Sequence, residues 1–305
     1  MKKAGTPRFD PVPIGEVARP PFACLPEPLS LFRSRAQRFM ALGARHELAG
    51  YLRFLAGLAE VQHRVQEELP VPELPPAELR ERARQSGLPP LPGNRFTFEP
   101  VFAATLEGLL ARAAAVDMPS IARAALERLI SADIATRERM VRAVLANAIP
   151  IEAVAEHVYV AAALQVHFAR LAARLDPDRL VPIGTAGCPV CGGAPLCSLI
   201  VGWHTAQATR FCACPLCATL WNYVRIKCTL CGSTKNISYQ QIEGGSASVK
   251  AETCESCQAY VKILHQHEDP ELEPVADDVA TLGLDLLLRQ AGYRRGGVNF
   301  FLHGY

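Results

Sequence analysis

Four Cys-x-x-Cys pairs stand in this 305-residue chain, Cys188/Cys191, Cys214/Cys217, Cys228/Cys231 and Cys254/Cys257, and adding 40 to each position in the first two gives each position in the last two. The chain therefore repeats a unit in this stretch, with two pairs per copy. In both copies glycine follows the second cysteine, at Gly192 and Gly232, where a tight turn can aim backbone N–H groups at sulfur without a Cβ in the way. Two residues between cysteines let one turn direct both sulfurs at a single ion, and a second, distant turn completes a tetrahedron. A four-thiolate site is closed to water and substrate, which favours a structural or one-electron role over hydrolysis. Units this short bury little apolar surface, so metal binding is expected to carry much of their folding free energy.

The repeat also sorts the remaining cysteines. Cys197 aligns with Ile237 and Cys212 with Glu252, neither of which could replace a thiolate, so both are read as non-ligands. Cys212 is kept as an alternative to Cys214 in the first site. Cys24, alone in a proline-rich stretch, reads as a partly buried thiol. Eleven cysteines in a reducing compartment point to metal rather than to a disulfide framework. The opening MKKAGTPRFDPVP lacks the apolar run of a secretory signal, and no apolar stretch approaches the roughly 18 residues of a membrane span. A cytoplasmic protein without stable membrane insertion is expected. A net charge of +2 nominates no polyanionic partner.

Strands are expected at 196–201, 208–213 and 219–226 in the first copy and at 237–242 and 260–264 in the second, with turns at Gly202 and Gly244-Gly245: small antiparallel ribbons of the zinc-ribbon or rubredoxin kind. The half before them is rich in Arg, Ala and Leu. Leu48, Leu52, Leu55, Leu58, Val61, Val65 and Leu69 draw one helical stripe over 47–69. Further helices are expected at 29–42, 99–115, 119–130 and 136–148, and from Pro150 to Asp176-Pro177, with a Pro-rich connector at 70–92. A last helix at 277–290 is expected to be capped by Asp277 and ended by Gly292. The predicted class is α+β: an extended segment over 1–27, an all-α domain over 28–180, ribbons over 185–227 and 228–267, and a linker with one short helix over 268–305.

Plainer readings hold elsewhere. His46, His63, His157 and His167 lie on predicted helices, and His204, His265 and His267 stand beside sites that already have four sulfurs, so none is read as a ligand. Trp203, Trp221, Tyr223, Tyr239 and Tyr260 are read as cover for a small core rather than as base-stacking platforms. The Arg-rich helices read as solvated faces, with a peptide-binding groove as the alternative. Between residues 185 and 268, Arg210, Arg225, Lys227, Lys235, Lys250 and Lys262 are nearly offset by Glu243, Glu252, Glu255 and Glu268, which weakens a nucleic-acid-binding ribbon. A free-standing rubredoxin-like electron carrier would leave the long helical preface unexplained. No phosphate loop or nucleophile elbow stands out, and the chain is not read as an enzyme.

The run LFRSRAQRFMALGARHELAGYLRFLAGLAEVQ, followed by CPVCGG, CPLC, CTLCGS and CESC and closed by DDVATLGLDLLLRQAGY, resembles the formate dehydrogenase accessory protein family FdhE over nearly the whole chain. His46-Glu47 departs from the His-Pro expected there. The resemblance implies a cytoplasmic protein, not itself a dehydrogenase, needed for formate dehydrogenase activity. It would act as a chaperone on the catalytic subunit, a molybdenum or tungsten selenoprotein, before twin-arginine export. It also implies rubredoxin-like iron held by Cys188, Cys191, Cys214 and Cys217 and by Cys228, Cys231, Cys254 and Cys257. Four sulfurs suit zinc as well, so two metal ions are expected, iron favoured and zinc the alternative.

Overall fold

Small residues make the centre of the molecule. The run Val154–Ala172 is a helix (α7) whose residues from Glu156 onward are all buried, the expected fate of a helix apolar on every side. A computed structural model describes residues 20–302; most of the expected extended N-terminal segment lies outside the described residues. Around α7 pack α2 (Ala49–Glu68), α4 (Pro100–Ala113), α5 (Ser120–Ser131) and α6 (Ile134–Leu145), with α1 (Pro28–Leu42) against α2. These match the expected helices to within a few residues. Inside the Pro-rich connector the chain forms one more, α3 (Ala77–Gln85), which buries no residue. Its sequence AELRERARQ carries no apolar stripe, so periodicity could not announce it; Glu81 is instead bonded to Arg84 at 2.6 Å and paired with Arg179.

The strands are β1 (Ala23–Cys24), β2 (Cys197–Ile200), β3 (Arg210–Ala213), β4 (Leu220–Asn222), β5 (Ile237–Gln240), β6 (Val249–Cys254), β7 (Ala259–Leu264) and β8 (Arg294–Arg295). Each copy of the repeat forms an antiparallel three-stranded ribbon, but the two are not separate. β2 and β7 pair in parallel, with Ser198 opposite Ile263 and Leu199 opposite Leu264. This fuses them into one eight-stranded sheet in the order β1-β4-β3-β2-β7-β6-β5, with β8 on β7. β6 was not expected, because Lys250 and Glu252 interrupt its apolar pattern; the Glu252 side chain is nevertheless buried, paired with Arg210.

The last expected helix is two, α8 (Pro274–Ala280) and α9 (Leu282–Gln290), broken at Thr281, whose hydroxyl donates to the Asp277 carbonyl at 2.7 Å. Asp277 is not the N-cap. That place belongs to Glu273, which accepts from the Ala276 N–H at 2.7 Å, while Asp277 reaches back to the Glu273 N–H at 2.7 Å and pairs with Arg38. Two carboxylates at i and i+4 thus close the first turn reciprocally. Gly292 ends α9 as expected, at φ +88°.

Candidate metal centres

The repeat is reproduced in backbone geometry. In the first knuckle of each copy the glycine after the second cysteine turns at positive φ, Gly192 at +79° and Gly232 at +75°, and its N–H reaches back to the Cys188 or Cys228 carbonyl. The second knuckles turn at the corresponding place with side-chain residues, Ala218 at +56° and Gln258 at +50°, where the left-handed region costs an L-residue roughly 1 kcal/mol.

Four sulfurs of each copy then meet. Cys188, Cys191, Cys214 and Cys217 form one quartet and Cys228, Cys231, Cys254 and Cys257 the other, the sulfurs of each all within 4.8 Å of one another. Cys188 faces Cys217 at 3.5 Å and Cys191 faces Cys214 at 3.4 Å; their counterparts stand at 3.8 and 3.7 Å. Four sulfurs about 2.3 Å from one ion are spaced about 3.8 Å apart, whereas a disulfide needs about 2.05 Å. The spacings fit a tetrahedral ion, and each quartet can hold one. Backbone N–H groups of Leu216, Cys217 and Leu230 point at the Cys214 and Cys228 sulfurs at 3.4 Å.

Electrostatics within each quartet favours charge on one sulfur. Burial pushes the Cys188 thiol up. At Cys217 burial pushes the same way, but hydrogen bonds from Cys188, Cys191, Cys214 and the Thr219 hydroxyl outweigh it and hold the group well below the usual thiol range. In the second quartet burial and the charge of Cys228 push Cys257 up to about 12. At Cys254 burial is outweighed by the N–H groups of Cys257 and Ser256, which bring it down. An arriving cation would displace the protons that remain.

The quartets differ in cover. All four cysteines of the first are buried, while Cys231 of the second is exposed and Cys257 half-buried. The first is tied to the helical half on both sides. The Leu91 N–H bonds the Val190 carbonyl at 3.0 Å and the Gly93 N–H the Cys191 carbonyl at 3.2 Å. Gln165 of α7 donates to the Pro215 carbonyl at 2.8 Å. Gln165 in turn accepts from Arg35 at 3.2 Å and Gln62 at 3.0 Å, and Arg35 pairs with Glu273 at 2.9 Å. One buried polar chain therefore links α1, α2, α7, the start of α8 and the Cys214–Cys217 knuckle. Sequence reasoning missed it, although a signal was there: the first copy fills its knuckles with Pro189-Val190 and Pro215-Leu216, the second with Thr229-Leu230 and Glu255-Ser256.

Cys197 and Cys212 are buried on β2 and β3, outside both quartets, and Cys24 is half-buried on β1 with its thiol pushed up by burial. His46 lies between α1 and α2 rather than on a helix, bonded to the Ala280 carbonyl at 2.8 Å. His265, His267 and Glu268 gather within 4.8 Å of one another just after β7, a grouping not foreseen; burial and the Lys250 charge lower the His265 pKa, and that same cation opposes an ion there. Arg210 and Lys262 are taken from the surface into buried pairs with Glu252 and with Asp278 and Asp285. No described helix is long and apolar enough to cross a membrane.

A helical bundle continuous with a duplicated four-cysteine sheet defines the class of protein. Three family models match along the chain: FdhE N-terminal over residues 20–185, FdhE central domain over 187–225 and FdhE C-terminal domain over 226–302. The chain is 45% identical over 298 residues to a protein FdhE homolog of Rhizobium meliloti, covering 97% of each chain. It is 35% identical over 276 residues to one of Enterobacter, covering 90% of this chain and 88% of that one. The crystal structure of the FdhE protein from Pseudomonas aeruginosa superposes with a TM-score of 0.82 at 33% identity, over 93% of this chain and 99% of that one. The chain belongs to the FdhE family.

Proposed function

We propose that this chain is a non-enzymatic accessory protein of formate dehydrogenase that binds the immature catalytic subunit in the cytoplasm, and that its eight paired cysteines are the ligands of two metal ions. Family membership supports the accessory role. The observation that carries the metal reading is the gathering of eight thiols into two quartets at tetrahedral spacing. Ions so held supply a closed site, which locks a fold or exchanges one electron but leaves no position for substrate. Iron is the metal that the family resemblance favours; the sulfur set itself suits zinc equally. The chain's own residues do the rest: Cys217 and Cys254 offer charge, knuckle amides orient the sulfurs, and Gln165 makes the first quartet one piece with the helices.

The test of the partner is direct. Purified protein mixed with the catalytic subunit freed of its cofactor is expected to form a complex on size exclusion, weakened on the mature holoenzyme. Absence of a complex, under conditions where maturation proceeds, overturns the chaperone reading. Iron-loaded protein is expected to bleach on reduction and recolour in air if the centre is redox-active.

A further inference from the structure

We propose that the two quartets divide their labour: the first is a permanent element of the fold, and the second is a thiol-exchangeable centre that opens at Cys231. This rests on the reading of the quartets as metal sites and adds a function to one of them. Three differences between positions forty apart carry it.

The first is access. All four cysteines of the first quartet are buried, and Cys188 and Cys217 have no exposed surface at all. Cys231 is exposed and Cys257 half-buried, so the second quartet meets solvent at two of its four residues. The second is attachment. The Cys188–Cys191 knuckle is sewn to Leu91 and Gly93, and the Cys214–Cys217 knuckle to Gln165. Among the described residues the second-copy knuckles have no such tie to the helical half: the Cys228 carbonyl accepts from the Tyr223 hydroxyl at 3.2 Å, within the sheet half, and Glu255 of the Cys254–Cys257 knuckle is exposed, where it meets Tyr293. The third is the partner of the last cysteine. The Thr219 hydroxyl bonds the Cys217 sulfur at 3.2 Å, whereas the residue at the matching place is Ala259, which has no donor to offer. Hydrogen bonds to a ligand atom hold it in place and stabilise its charge.

Exchange at such a site needs no oxidant or reductant. An incoming thiol brings its sulfur to the exposed side as the Cys231 sulfur leaves, and the proton of the incoming thiol passes to Cys231, so charge and atoms balance. The chemical class of ligand is a small thiol or an exposed cysteine of a partner protein.

The full-length protein loaded with zinc, challenged with glutathione and a chromogenic chelator, tests this. Two phases are expected, one ion leaving at least roughly tenfold faster than the other and at a rate rising with glutathione. Cys231→Ser should lose the fast ion alone. Thr219→Ala, which keeps all eight cysteines, should speed the slow phase by roughly tenfold and leave the fast one unmoved. Alkylation read by mass spectrometry should reach Cys231 and Cys257 before any cysteine of the first quartet. Two ions released together, or a fast ion that survives Cys231→Ser, would overturn the division of labour while leaving two metal sites standing. A protein that takes up neither zinc nor iron would overturn the metal reading itself.

Discussion

The helical half and the sheet half bury different things. Around α7 the interior is mostly apolar, Phe39, Leu52, Leu55, Phe102, Leu106, Leu109 and Leu129 all at or near zero exposure, with the polar chain of Arg35, Gln62 and Gln165 confined to the side that meets the sheet. Across the sheet it includes thiols and charges: Arg210 with Glu252, and Lys262 and Arg295 with Asp278 and Asp285. Apolar burial is non-directional and tolerates repacking. A buried charge tolerates one arrangement, because removing its partner leaves it desolvated and unpaired. Short strands bury little apolar area, so the sheet half is specified by buried charge pairs that join one element to another. Arg210–Glu252 joins the first ribbon to the second, and Arg295 with Asp278 and Asp285 ties the last strand to α8 and α9.

The contrast is sharpest at Arg210. Its guanidinium meets Glu252 at 2.9 and 3.1 Å and also donates to the Arg225 and Lys227 carbonyls. Arg210→Met should therefore cost roughly 3–5 kcal/mol in urea unfolding, and adding Glu252→Leu should return much of it. Leu109→Ala in the helical core should cost roughly 2–5 kcal/mol with no single second change that restores it. A double variant no more stable than Arg210→Met would break the comparison.

A smaller effect concerns acid. His167 packs edge-on against Phe96, Phe102 and Phe168, and burial, with Arg170 nearby, lowers its pKa to about 4. The depressed folded value means the group favours folding at and above its ordinary pKa near 6.5, and that contribution is lost as pH falls from there through 4. About 2.5 pH units correspond to roughly 3 kcal/mol at most. His167→Phe should flatten this part of the pH–stability curve, measured between pH 7 and 4; an unchanged curve would assign the acid loss to other groups.

The seam between the halves should give less. Gln165→Leu leaves the Pro215 carbonyl without its donor and should cost roughly 1–3 kcal/mol, with faster amide exchange at residues 214–217 and none at 254–257. The smallest change expected is a gain: Ala218→Gly relieves a left-handed backbone and should stabilise by roughly 1 kcal/mol, seen as a higher melting temperature.

The two halves were also legible in different ways. Periodicity located α1, α2, α4, α5, α6 and α7 because each turns an apolar face to a core, and it passed over α3 because AELRERARQ has no such face. The forty-residue register predicted which cysteines would meet, since ligand spacing is a local property of two turns. It said nothing of the parallel β2–β7 pairing, which depends on contacts between copies. Glu252 and Asp277 misled for one reason: each reads as solvent-facing until its distant partner, Arg210 or Arg38, is known. The unequal burial of the quartets was written in Pro215-Leu216 against Glu255-Ser256, a difference visible only when the copies are compared residue by residue.

The central claim is that eight thiolates hold two ions, four to each. Metal analysis of anaerobically purified protein, joined to X-ray absorption at the edge of the metal found, tests it most directly. Two ions per chain are expected, each with four sulfurs at about 2.3 Å. One ion per chain, a metal–metal distance typical of a shared cluster, or a first shell containing nitrogen or oxygen would contradict it.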